Sequence, residues 1–194
     1  EETVLTSVGE RFTEELAAHY QGMNAADVAA TMHRVLGLAS PLPPLQRRLR
    51  EELLRGVREI PLEPVPGAVA LVRRLAGLAP MAVASGSPAE AIAIVVRRLG
   101  LADCLPTLVS SESVPRGKPH PDVFLECARI LGAPPRQCLV FEDSLVGAQA
   151  ARAAGMACLV RSLAPTEELR AVATRVVASW DEITREAVIA GSSE

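Results

Sequence analysis

Three short stretches of this sequence combine residue types that could handle a phosphate group and a hard cation. The first is Ser85-Gly86-Ser87, followed by Pro88. Two hydroxyls, a glycine that admits a ligand to the backbone and a helix start make a ready anion site. Ser87 equally suits a plain helix cap, with Pro88 at the first helical position and Glu90 closing a capping box. The second is Lys118, between Gly117 and Pro119 in RGKPHP at 116–121. A lysine in so rigid a loop can set a point charge on a phosphate oxygen or hold a carboxylate, or it can be ordinary surface. His120, flanked by prolines, reads as a helix-start residue. The third is Glu142-Asp143, ahead of Ser144. Adjacent carboxylates repel, and either a divalent cation or the dipole of a following helix would offset that repulsion. Magnesium is the cation that suits a site shared with phosphate. Gly147 lets the following helix sit close to its strand.

The elements that must carry these residues follow from periodicity. From residue 68 onward, helical and short apolar segments alternate. Helices are expected at about 68–75, 87–99, 122–131 and 145–154, with strands ending at Ser85 and covering 107–110, 137–141, 157–160 and 175–178. A terminal helix follows. Strands of this kind, apolar without polar alternation and linked by helices, belong to a parallel sheet covered on both faces. In such sheets ligands bind beyond the carboxyl ends of the strands. Ser85, Lys118 and Glu142-Asp143 all follow strands there, in that order, so the three weak signals reinforce one another.

Residues 1–58 have a different texture, helical and polar with no β-branched run. Val4, Val8, Phe12 and Leu16 recur at helical spacing, Asn24 and Asp27 open a second helix, and a third covers about 45–57. Pro41, Pro43 and Pro44 separate the last two. The proline-rich stretch 60–67 is the expected boundary, giving a helical unit at 1–62 and an α/β unit at 63–194.

Composition narrows the function. The 194 residues carry 20 Lys and Arg against 23 Asp and Glu, a net charge of −3, and only 3% are aromatic. With neither a basic surplus nor stacking surfaces, no nucleic-acid or anionic-membrane partner is expected. The four cysteines form no CxxC pair and read as reduced packing residues. Cytoplasmic location, a small-molecule partner and a monomeric state are the resulting expectations.

The motifs together resemble the haloacid dehalogenase superfamily. VASGS at 83–87 is similar to its second motif, GKPHPDVF at 117–124 to its third, and VFEDSLVGAQAARAAGM at 140–156 to its fourth. QGMNAADV at 21–28 is similar to the cap of the β-phosphoglucomutase-like branch, which includes sugar-phosphate phosphatases. The resemblance implies an α/β fold, a Rossmann-like parallel core with an all-helical cap. It implies that Ser85, with the Gly86 amide, binds the transferring phosphoryl group, that Ser87 touches it, and that Lys118 bridges it to the nucleophile. Glu142 and Asp143 would hold Mg2+, one directly and the other directly or through water.

The family's first motif, whose two aspartates are nucleophile and general acid/base, is not in the sequence. Glu1-Glu2 would fall just past it. The first, central strand and both aspartates are therefore expected upstream of residue 1, in about 10–20 further residues. With them the implied reaction is hydrolysis of a sugar phosphate through an aspartyl-phosphate. Alternatives are a β-phosphoglucomutase-type transfer back to sugar or, if the first motif is truly missing, an inactive phosphate-binding fragment. Lys118→Ala is expected to spare the fold and lose turnover.

Overall fold

The computed structural model describes residues 25–37, 41–186 and 188. The helix expected through Val4 to Leu16 and most of the terminal helix lie outside these residues. Two helices come first, α1 (Ala25–Val35) and α2 (Leu42–Glu59). α1 buries Val28, Ala29 and Met32, α2 buries Leu45 and Leu49, and the two pack together. α2 starts three residues before the expected Leu45, because Pro43 and Pro44 occupy its first turn. There an N–H would have no helical partner, so proline costs nothing.

Helices and strands then alternate as α3 (Ala68–Leu75), β1 (Ala82–Ser85), α4 (Ala89–Arg98), β2 (Thr107–Ser110), α5 (Asp122–Leu131), β3 (Leu139–Glu142), α6 (Leu145–Ala153), β4 (Ala157–Arg161), α7 (Glu167–Val172) and β5 (Arg175–Val177). One-turn 3-10 segments lie at Ser111–Ser113, Pro135–Gln137 and Trp180–Glu182. Gly132 (φ 67°) and Gly155 (φ 71°) take the left-handed conformation that stops α5 and α6. The third strand begins at Leu139, two residues later than expected. Gln137 is drawn into the preceding 3-10 turn, its N–H donating to the Pro134 carbonyl at 2.9 Å.

All described strand pairs are parallel. β1 pairs with β2, placing Ser85 opposite Ser110, and β3-β4-β5 form a second ladder with Glu142 opposite Val160. The two ladders form one layer, as their side chains show. Ala82, Ala84 and Val109 from the first and Val140, Cys158 and Val160 from the second meet in a single core with α5 and α6. The alternate residues turn to the opposite face. Val83 and Leu108 pack with α4, while Phe141 and Leu159 pack with α3 and Trp180. This is the period-two consequence of a sheet covered on both sides. Among the described residues, no strand pairs with the outer edge of β1 or of β3.

Polar contacts fasten α2 to the sheet-bearing part. Arg98 at the end of α4 donates to the Val57 carbonyl (2.7 Å) and the Ile60 carbonyl (2.9 Å). Arg58 pairs with Glu90 on α4, and Arg50 with Glu112 after β2. The expected capping box therefore does not form. α4 starts at Ala89 with Pro88 as its N-cap and no side-chain cap, which leaves Ser87 outside the helix and Glu90 free to reach Arg58.

Candidate active site

The carboxyl ends of β1 and β3, together with the loop before α5, open onto one pocket of about 480 Å³. Ser85, Gly86, Ser87, Lys118, Glu142 and Asp143 all line it, as do Ser144, Phe141, Arg161 and Trp180. The six candidates for phosphate and metal binding thus reach the same space, although the three groups are far apart along the chain; His120 and Gly147 do not line it.

The Ser85 end is built by a tight turn rather than a helix cap. The Ser87 amide donates to Ser85 Oγ at 3.1 Å, and the Ser87 carbonyl accepts from Ser110 Oγ at 2.7 Å. Ser110 is buried and also accepts from the Glu112 amide, so the neighbouring strand tip fixes the turn. The Ser87-as-cap reading falls, and the loop stands clear to present hydroxyls and amides to the pocket.

Lys118 is no surface residue. Its Nζ forms an ion pair with Glu142, donates to the Ala84 carbonyl at 3.3 Å and lies 4.8 Å from the centre of the Phe124 ring. Only 8% of the Lys118 side chain and 7% of the Glu142 side chain are exposed. The lysine therefore links the tip of β1 to the tip of β3. This burial argues against the expectation that Lys118→Ala spares the fold, because removing one partner strands a buried charge.

Glu142 is held from several sides. Besides Lys118 it accepts from the Asp143 amide (3.1 Å) and Ser144 Oγ (3.0 Å). Ser144 in turn caps α6 by accepting from the Gly147 amide at 3.1 Å. A Cβ on Gly147 would coincide with the Glu142 carboxylate, so that glycine shapes the cradle in which the carboxylate lies. Asp143 is the complementary case. It is solvent-accessible at the pocket wall yet crowded by protein on most sides. That crowding, and then the charge of Glu142, raise its pKa, against smaller opposing effects of Lys118 and Arg161. Burial pushes Cys127 up to about 11 and Cys158 up to about 12. Neither offers a thiolate near neutral pH.

A hard cation fits this donor set in one way. Among the described residues no three His, Cys, Asp or Glu side chains gather into a complete cage. Asp143 lines the pocket and its carboxylate makes no ion pair among the described residues, whereas Glu142 is already engaged by Lys118 and Ser144. Such a site suits magnesium, which keeps waters and substrate oxygens among its ligands and needs few carboxylates.

Arg161, Trp180 and Ser144 carry no weight in the sequence reading yet belong to the pocket. Arg161 ends β4, so the rule that found Ser85 and Glu142 at their strand tips also reaches it. Trp180 meets Phe141 edge-to-face at 5.8 Å and closes the pocket floor on the α3 side.

With fold and site in view, the family follows. The sequence profile of the haloacid dehalogenase-like hydrolases matches residues 3–155, and the chain belongs to that family. It is 41% identical over 109 residues to fructose-1-phosphate phosphatase YqaB of Escherichia coli, covering 56% of this chain and 57% of that protein. It is 40% identical over 108 residues to hexitol phosphatase B of the same species, covering 56% and 44%. The chain thus spans about half the length of these relatives. Among solved structures, β-phosphoglucomutase from Clostridium difficile superposes with a TM-score of 0.85 at 18% identity, covering 99% of this chain and 87% of that one. That likeness gives the Rossmann-like fold expected from the alternating elements.

Proposed function

We propose that this chain carries the larger part of a magnesium-dependent phosphomonoester hydrolase acting on a small phosphorylated metabolite, a sugar phosphate. The observation that carries the reading is the convergence of Ser85-Gly86-Ser87, Lys118 and Glu142-Asp143 on one pocket. The two Escherichia coli relatives, a fructose-1-phosphate phosphatase and a hexitol phosphatase, support the substrate class.

In this reading Ser85 Oγ and the Gly86 amide hold oxygens of the transferring phosphoryl group. Lys118 sits at the back, its charge countering the phosphoryl oxygens and the attacking carboxylate while Glu142 fixes its position. Asp143 would hold Mg2+, and Glu142 would act behind it, orienting Lys118 and the loop. When bound, the cation supplies electrostatic stabilisation of the phosphoryl oxygens. The attacking group in this reading is the nucleophilic aspartate of the family's first motif, which residues 1–194 do not contain. One of its oxygens bonds to phosphorus as the ester P–O bond breaks, and the sugar oxygen leaves with a proton from the second aspartate of that motif. Water then attacks phosphorus, gives a proton back to that second aspartate, and the aspartyl O–P bond breaks, which releases inorganic phosphate and regenerates both groups. The helices before residue 62 form the cap over this site.

The test is a panel of phosphomonoesters offered to the protein produced from its complete reading frame, with inorganic phosphate measured in Mg2+ and in excess chelator. Phosphate release from hexose phosphates that chelator abolishes is the expected result. Undiminished release in chelator overturns the metal assignment, and conversion to an isomeric sugar phosphate without release favours the mutase alternative.

A further inference from the structure

Arg161 is a donor with no assigned acceptor. It lies at the tip of β4, and extending the Glu142–Val160 register by one residue sets it beside Asp143 on the Trp180 face of the sheet. It lines the same pocket as Ser85 and Lys118, and its Nε is buried without a hydrogen-bond partner. The pocket's two cations are therefore unlike one another. Lys118 is committed to Glu142 and to the Ala84 carbonyl, whereas Arg161 makes no ion pair among the described residues. Nor does it compensate Asp143 through a direct bond, although it lies close enough for its charge to be felt there. A guanidinium with no partner at a pocket wall has donors to offer a ligand there.

We infer that the Arg161 guanidinium donates to the bound substrate, contacting an oxygen of the part that is not transferred. This rests on the phosphomonoesterase reading and adds a specificity residue to it. The favoured leaving group carries acceptor oxygens of its own, as a phosphorylated sugar does and a simple aryl phosphate does not. Planar, multiply donating arginine suits such recognition better than lysine does.

The experiment compares wild type, Arg161→Met and Arg161→Lys, each made from the complete reading frame and checked by thermal melt. The substrates are fructose 1-phosphate and phenyl phosphate, and calorimetric binding of fructose 1-phosphate and inorganic phosphate is measured in parallel. Wild type should prefer the sugar phosphate. Arg161→Met should lower the ratio of the two kcat/KM values by about tenfold or more, chiefly through KM for the sugar, with Arg161→Lys intermediate. The preference for binding fructose 1-phosphate over inorganic phosphate should fall in parallel. Turnover by wild type with an unmoved ratio in Arg161→Met overturns the inference while the hydrolase reading stands. If wild type turns over neither ester but Arg161→Met still loses the binding preference, the hydrolase reading fails and Arg161 stands as a ligand contact. Absence of any binding overturns both. Should Arg161→Met fail to fold, the lysine variant decides by the same ratio.

Discussion

The ion pair between Lys118 and Glu142 is the residue-scale feature on which most depends, because both side chains are nearly dry. Lys118→Ala leaves a buried carboxylate uncompensated, and we expect a loss of about 3–5 kcal/mol in stability together with a turnover drop of roughly 100-fold or more. The double variant Lys118→Met with Glu142→Gln should recover much of the stability and none of the turnover. Denaturant melts beside phosphate-release assays check both. Asp143 behaves in the opposite sense. Its pKa is raised on folding, so the folded state holds that proton more tightly than the unfolded chain does. Ionisation of Asp143 therefore costs stability above its folded pKa, and the cost disappears as pH falls below the ordinary carboxylate range. Without Mg2+, Asp143→Asn should raise the melting temperature at neutral pH, by an amount that shrinks towards acid pH. In the wild type, proton and cation compete, and Mg2+ affinity should begin to fall at a higher pH than an ordinary aspartate would dictate. A calorimetric titration across pH reads this directly.

At the scale of elements, the start of α6 and the tip of β3 act as one unit. Gly147→Ala forces its Cβ onto the Glu142 carboxylate, so either the helix or the carboxylate must move. We expect a cost of about 1–3 kcal/mol, as for an overpacked core, and weaker Mg2+ binding in the same variant. A melt and a metal titration decide whether the two effects travel together. Ser144→Ala removes the α6 cap and one donor to Glu142, and should cost about 1 kcal/mol. These elements also mark what the sequence can reveal. Ser85 and Glu142-Asp143 were legible because each ends a short apolar strand, and the carboxyl-end rule converts that position into a place in space. The Lys118–Glu142 contact was not legible, since nothing local says which strand tip a loop residue 24 positions away will meet. The Asp143–Arg161 adjacency depends on strand order, which periodicity leaves open. Of the two readings open for Ser87, the helix cap fails, although Ser-Pro before a helical run looks locally like one. The Ser87 carbonyl is instead claimed by Ser110, a residue of the next strand.

For the whole molecule, the ion pairs that attach α2 to the sheet-bearing part are exposed, and they flank an apolar seam where Leu53 and Val57 lie near Ile92 and Val95 of α4. The Arg50–Glu112 and Arg58–Glu90 side chains are 40–53% accessible, so each pair contributes at most about 1 kcal/mol and is screened by salt. Limited proteolysis should cut within 60–67 before any site inside 137–155, and faster at high ionic strength than at low. Early cleavage within 137–155 would contradict the division into helical and α/β units. The change of texture near residue 60 is what suggests that division, whereas the fastening was not legible, because Arg98 and Glu90 look like ordinary helix-surface charges. The Arg98 bracket on the Val57 and Ile60 carbonyls has a mechanical consequence. It clamps one end of an 18-residue helix, about 27 Å long at 1.5 Å per residue, and leaves the Leu42 end as the far arm. The clamp is a fulcrum. A tilt of roughly 10° about it would sweep that arm through about 5 Å while Ile60 hardly moves, so a small rotation at the hinge becomes a large stroke at the tip.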